Sequence, residues 1–395
     1  MTSQQTGLAS HSQCCYLNQL RRYGIDFIMN QNMNSTSHGP NRSSGASPPE
    51  SDLAPYPVVT IVIPCRNEAD YIVACLDSLA HIDYPLDKLE IFVVDGMSTD
   101  GTRDIVQTYI QQYACVHMLD NPKLVTPSAM NIGIKYAKGD VIIIMGAHSE
   151  YPSHYISTCV SYLNKMQADV VGGPVVTKPG ADTFIAKAIA LATSHPFGVG
   201  NSRFRTSSEA GFVDTVPFGA FRREVFNQVG IFDERLVRNQ DNEFNSRVIQ
   251  HNGRIYLTPD LTVWYYNQAT ITGLLKQALT TGMWNVNTLI INSSAFRWRH
   301  FIPFGFVSVV GVLGITAWLF SSYTQLALVC VLCVYGSAAL VSSMQIGCRD
   351  GMKYVGILPV IFFSYHVCYG LGTWIGIIKA GLTLWVSEKW SGIFS

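Results

Sequence analysis

Residues 141–152 read VIIIMGAHSEYP, and two side chains there carry ligand chemistry, the imidazole of His148 and the carboxylate of Glu150. A neutral imidazole nitrogen and a hard carboxylate oxygen are donor types for a divalent cation. The other reading of Glu150, and the plainer one, is a loop residue facing solvent. A second carboxylate, Asp95, closes the apolar run LEIFVVD just before Gly96 and Ser98, so it is either a site residue or a turn former. A third, Asp241, sits in the polar cluster RNQDNEFNSRV between Arg238 and Arg247, where the plain reading is a solvated loop acid.

Such groups need a frame. VVTIVIP reads as a strand ending at Pro64, followed by the turn Cys65-Arg66-Asn67-Glu68 and a helix with Ile72, Val73, Leu76 and Leu79 on one face. LEIFVVD is a second strand, and GMSTDGT leads from it into a helix near 104–112. VHMLDN is a shorter strand, 127–138 a helix, and Val141–Ile144 a β-branched strand buried on two faces. This alternation predicts an α/β fold with a parallel sheet and helical crossovers, whose ligands gather at the carboxyl ends of the strands. The ends at Pro64 and Asp95 would then share one crevice. ADVVGGPVV and VDTVPFGAFRREVF carry further helix and strand signals, and a loop holds Asp233 and Glu234. GRIYLTPDLTVWYY reads as a final strand pair. Residues 271–290 fit an amphipathic helix at a membrane surface, with Leu274, Leu275, Ala278 and Leu279 inward.

The formal net charge is +0, which gives no electrostatic case for a nucleic-acid partner, and only 14% of residues are charged. Mean hydropathy is +0.18, high for a soluble chain, and the apolar residues concentrate at one end. Residues 302–320, 325–343 and 355–377 form three apolar runs, each near the roughly 20 residues that cross a bilayer. Arg297, Arg299 and His300 precede the first, Arg349 and Lys353 separate the second from the third, and the connector SSYTQ is uncharged. The excess of cations puts residues 1–300 and the 344–354 loop on the cytoplasmic side of a plasma (inner) membrane. The expected organisation is a disordered, Ser- and Asn-rich tail over 1–55, an α/β domain over 56–270, an interfacial segment over 271–300 and a membrane domain over 301–395. The first stretch lacks the apolar core of a signal peptide. Ten cysteines are scattered, and Cys330-x-x-Cys333 lies within an apolar helix pattern, so the soluble part reads as reduced.

TIVIPCRNE, VVDGMSTDGT and SAMNIGIKYAKGDVIII, in that order, resemble inverting family 2 glycosyltransferases with the GT-A fold, a Rossmann-like mixed sheet. The likeness covers about residues 56–300, continues through SYHVCYGLGTWIG, and is greatest to the ExoA type of exopolysaccharide biosynthesis.

The resemblance implies that Pro64, Asn67, Glu68 and Asp95 line a nucleotide pocket, with Asp95 on the base and Asn131 by the ribose and diphosphate. It implies a donor and acceptor pocket with Phe218, Gly219, Ala220, Gln240, Gln277 and Trp284, and gives Asp241 the role of catalytic base. Gly146 stands where the family carries its first metal-side aspartate, which leaves His148 and Glu150 for a Mg²⁺ or Mn²⁺ ion. The expected reaction moves a sugar from a nucleotide sugar, UDP-linked for preference, to a lipid-linked glycan in the membrane, alongside other polysaccharide-assembly proteins. The leaving diphosphate gains charge that a cation must meet, and the attacking hydroxyl must lose a proton to a carboxylate. Two alternatives are a processive polysaccharide synthase, for which Arg297-Trp298 lacks the accompanying glutamine, and a catalytically impaired scaffold, suggested by Gly146.

Overall fold

The computed structural model describes residues 53–54, 56–200, 202–206, 209–319 and 322–391, the side chains of 383–391 excepted. The tail expected over 1–55, with Cys14 and Cys15, lies outside the described residues except at 53 and 54.

The α/β part opens with β1 (Val59–Cys65), α1 (Ile72–Ala80), β2 (Leu89–Asp95), α2 (Thr102–Gln112), β3 (Val116–Asp120), α3 (Thr126–Tyr136) and β4 (Val141–Ile144). It continues through α4 (Tyr155–Lys165), β5 (Val170–Gly172), β6 (Val175–Lys178), α5 (Phe184–Ala192), α6 (Pro196–Val199) and α7 (Arg203–Thr206). Then come β7 (Gly211–Val213), β8 (Ala220–Arg222), α8 (Arg223–Val229), α9 (Gln240–Gln250), β9 (Ile255–Leu257) and β10 (Val263–Tyr266). Four long helices complete the chain: α10 (Ile271–Ile291), α11 (Phe301–Leu319), α12 (Ser322–Asp350) and α13 (Leu358–Ser391).

Eight strands form one mixed sheet in the order β3-β2-β1-β4-β8-β5-β9-β7. The half from β3 to β4 is parallel, and β8 enters antiparallel between β4 and β5. The β-branched runs explain the buried half. Ile61 and Ile63 pack with Ile72 and Leu76 on one face, while Val62 packs with Phe92, Ala129 and Met130 on the other. A parallel sheet covered on two faces needs apolar residues at successive positions, which is what VTIVIP supplies.

GRIYLTPDLTVWYY forms two strands, as expected, but they belong to different sheets: β9 joins β5 in the large sheet, whereas β10 pairs with β6 in a separate two-stranded sheet. Between them Pro259–Leu261 forms a tight turn whose Leu261 side chain is buried, and that redirects the chain to a second sheet.

Three helices are long and apolar enough to cross a membrane: Trp298–Leu319, Ser322–Asp350 and Leu358–Leu382. Helix α10 starts as expected and buries Leu274 and Ala278, but its buried face continues through Gly282, Asn285, Val286 and Thr288. That face lies along α13. A Cβ on Gly282 would stand 2.1 Å from the Tyr369 carbonyl oxygen, and one on Gly372 would stand 2.1 Å from the Leu279 carbonyl oxygen. The two backbones touch through paired glycines, the packing that small residues permit between helices.

Candidate active site

One cavity of about 1070 Å³ links the sheet to the long apolar helices. At the carboxyl ends of β1 and β4 its wall holds Pro64, Arg66, Glu68, Gly146 and His148. The start of α9 contributes Gln240 and Asp241, and α10 contributes Gln277 and Asn285. The same wall continues with Ile302, Pro303 and Phe306 from α11 and with Tyr365, His366 and Tyr369 from α13.

Asp241 occupies the first turn of α9, where the positive end of the helix faces a carboxylate. The plain reading, a solvated loop acid, does not hold, since Asp241 is partly buried on a helix, and the neighbouring Arg247 is engaged with other groups. Arg247 forks onto Glu243 at 2.8 and 2.9 Å and donates its remaining N–H groups to the carbonyls of Val229 and Ile231. Asp241 has no hydrogen-bond or ion-pair partner among the described residues. It is half-buried by surface accessibility, yet its carboxyl is enclosed by protein, and burial raises its pKa from 3.8 to about 6. An unspent carboxylate on a cavity wall, titrating just below neutrality, suits a general base. Its approach is fixed by Asn239, a left-handed residue (φ 65°) that donates to Asn285 and to Thr288 on α10.

The end of β4 turns where the Gly146 N–H donates to the buried Tyr151 hydroxyl at 2.8 Å. Gly146 has little room for a side chain, since a Cβ there would stand 3.2 Å from the Phe218 ring and 3.3 Å from Ser149 Oγ. Phe218 itself holds φ at 50°, a conformation that costs a residue with a Cβ. His148 and Glu150, the two expected cation ligands, stand in different surroundings. His148 Nδ1 meets Glu68 Oε1 at 3.3 Å, and that bond raises the imidazole pKa. Glu150 is exposed and stands off the cavity wall. Among the described residues no three His, Cys, Asp or Glu side chains gather closely enough to hold a metal ion. The donor set is one imidazole and one carboxylate, which matches a cation shared with phosphate oxygens and falls short of a protein cage.

Several residues expected at the ligand make bonds within the protein. Asp95 is 1% exposed, and its oxygens accept from Ser98 and, at 2.6 Å, from Arg103. Asn67 accepts from the Thr99 N–H at 2.9 Å and donates its own N–H to Ser98 Oγ, so it stitches the turn after β1 to that after β2. Asn131 clasps the backbone of Phe232 through two 2.9 Å bonds and also reaches Glu234. Gly219 and Ala220 run into β8 beside β4, with Ala220 buried in the core, and they stand off the cavity wall along with Trp284. Phe218, Gln240 and Gln277 do line it, and the Gln277 Oε1 is buried with no partner. Arg66 was legible in the turn CRNE but drew no attention. It lines the sheet end of the cavity and has no ion-pair partner among the described residues. Asn285 gave no signal at all, because an asparagine among apolar helix residues does not disclose what it will meet.

A cavity at the carboxyl ends of a parallel half-sheet, bordered by an antiparallel strand and lined by a half-buried acid, stands where mixed α/β folds hold their ligands. Residues 60–230 match the Glycosyl transferase family 2 model. The chain is 27% identical over 335 residues to the dolichyl N-acetyl-alpha-D-glucosaminyl phosphate 3-beta-D-2,3-diacetamido-2,3-dideoxy-beta-D-glucuronosyltransferase of Methanococcus voltae, covering 82% of this chain and 98% of that protein. It is 28% identical over 318 residues to the succinoglycan biosynthesis protein ExoA of Rhizobium meliloti (strain 1021), covering 80% and 93%. Among solved structures, mannosyltransferase PcManGT from Pyrobaculum calidifontis, in complex with GDP-Man and Mn²⁺, superposes with a TM-score of 0.53 at 18% identity over 80% of this chain and 89% of that one. Residues 60–230 thus carry a match to a glycosyl transferase family 2 domain, on a GT-A-like mixed α/β fold.

Proposed function

We propose that the protein is a membrane-bound inverting glycosyltransferase that moves a sugar from a UDP-sugar to a lipid-linked glycan at the cytoplasmic face of the plasma membrane. The observation that carries this reading is the single cavity whose wall passes from Pro64 and Glu68, through Asp241, to Phe306 and Tyr369 on the membrane helices. A water-soluble donor enters from the sheet end, and an acceptor held in the bilayer enters from the other. Asp241 takes the proton of the acceptor hydroxyl as its oxygen attacks the anomeric carbon. The bond from that carbon to the diphosphate oxygen breaks, its electron pair stays with the leaving nucleoside diphosphate, and one displacement inverts the centre.

Arg66 offers a fixed cation to the leaving diphosphate, and the buried Gln277 Oε1 offers an acceptor to a sugar hydroxyl. A Mg²⁺ or Mn²⁺ ion, held by His148 and Glu68 together with the donor's phosphates, would add charge stabilisation at the same place. The excess of cations flanking the spans supports a cytoplasmic α/β domain.

The test is UDP release from a panel of UDP-sugars by membranes containing the protein, with Mn²⁺, Mg²⁺ or EDTA. Release by the wild type and its loss in Asp241→Asn supports the reading. Equal release from the two proteins removes Asp241 as base, and metal-independent release removes the cation at His148.

A further inference from the structure

At the membrane end of the cavity, three donors have no role in the chemistry above. Arg205, on the short helix α7, has no hydrogen-bond or ion-pair partner for its guanidinium among the described residues. It lies 5.4 Å from the centre of the Phe204 ring and 5.6 Å from that of Tyr265. The Arg299 side chain is 12% exposed, and its nearest carboxylate, Asp214, is 3.6 Å away and shared with Arg297 at 3.2 Å. One carboxylate therefore faces two guanidinium groups. Tyr365 is half-buried on α13, and its hydroxyl has no partner among the described residues. All three line the cavity, as do the apolar Ile302 and Phe306 of the long apolar helix α11.

Unspent cations at the border of a bilayer are costly unless something anionic joins them. A guanidinium presents a planar fork that matches phosphate oxygens two at a time. The shape asks for an anion with an apolar tail: phosphate oxygens on Arg205, Arg299 and Tyr365, and hydrocarbon against Ile302 and Phe306. We infer that this end of the cavity binds the phosphate or diphosphate of a lipid carrier, and so holds the acceptor by its head group while its glycan reaches Asp241. This rests on the glycosyltransferase reading for the acceptor role, but the binding site stands on its own residues.

The experiment is equilibrium binding to the full chain in detergent micelles, with farnesyl diphosphate, farnesol, inorganic diphosphate and UDP as probes. Farnesyl diphosphate is expected to bind more tightly than farnesol or inorganic diphosphate. Arg205→Gln and Arg299→Gln are each expected to weaken it about tenfold or more, the effect of losing a hydrogen bond to a charged group, with the Kd for UDP unchanged. Arg299→Lys, which keeps the charge and loses the fork, is expected to fall between. Should Arg299→Gln fail to fold for want of its Asp214 contact, the partner-free Arg205→Gln decides the matter.

Equal binding of farnesol would show an apolar groove without a phosphate site. Equal binding of inorganic diphosphate would show a free-anion site without a lipid component. Weakened UDP with unaltered farnesyl diphosphate would assign the arginines to the donor. Each of these overturns the inference. Arginine-dependent binding of farnesyl diphosphate by a protein that does not bind UDP would leave the lipid site standing and remove the glycosyltransferase reading.

Discussion

The side-chain amide of Asn239 donates to the Asn285 carbonyl oxygen at 2.9 Å, and Asn285 in turn donates to the Tyr369 hydroxyl. His300 Nδ1 stands 3.1 Å from the same hydroxyl. The turn that presents Asp241 is thereby fastened, through one buried asparagine, to the long helices α10 and α13.

Asn285 is 2% exposed, so replacing it leaves partners with nothing to bond. Asn285→Leu is expected to cost about 1–3 kcal/mol, read as a lower unfolding midpoint in detergent. It is also expected to lower kcat about tenfold, as a displaced base would, with UDP affinity unchanged. A wild-type kcat in this variant would show that Asp241 keeps its place without the fastening.

The raised pKa of Asp241 links activity, stability and pH. A base must be ionised, so kcat is expected to climb as pH rises through about 6 and to level off above neutrality. Stability moves the other way. The folded state holds the proton more tightly than the unfolded state, so this favourable contribution is complete below pH 3.8 and is lost as pH rises past about 6. Asp241→Asn is therefore expected to lose about 10²–10⁴ in kcat while gaining up to about 3 kcal/mol of stability at pH 7. Urea or thermal unfolding at pH 5 and pH 8 measures the second effect. A variant that is inactive and less stable at pH 8 would mean that Asp241 is held by bonds absent from this structure.

Gly146 and Phe218 are coupled by space. A Cβ at 146 presses the Phe218 ring at 3.2 Å, so Gly146→Asp is expected to destabilise by about 1–3 kcal/mol. Phe218→Ala should relieve part of that cost, and the double variant should be more stable than the two single effects summed. Additive unfolding midpoints would show that the ring yields freely.

Asn131 is a brace, on the geometry of its bonds to Phe232. Asn131→Ala orphans a buried N–H and a buried carbonyl and is expected to cost about 1–3 kcal/mol with the Kd for UDP unchanged. A selective loss of UDP affinity at wild-type stability would return Asn131 to the nucleotide pocket.

Much of the frame was legible because local composition is decisive there. Val59–Cys65, Leu89–Asp95 and Val141–Ile144 are β-branched runs bounded by turn residues, and they form the buried parallel half of the sheet. Asp241 was legible as a carboxylate in a polar loop, and the structure adds the enclosure that gives it a use. What could not be read are pairings across long stretches of chain. His148 meets Glu68 at a separation of 80 residues, and Asn131 meets Phe232 at 101, so no spacing rule reaches them. The facing of Gly282 and Gly372 was hidden for a different reason. Glycines in apolar helices look alike until the partner helix is known.

The most direct measurement is transfer of radiolabelled sugar from a UDP-sugar into organic-extractable lipid by membranes containing the full chain. The expected result is label in the lipid phase with the wild type and background with Asp241→Asn. Label released only as free sugar in water, or equal lipid labelling by the two proteins, would contradict a cavity that joins a nucleotide donor to a membrane-held acceptor at Asp241.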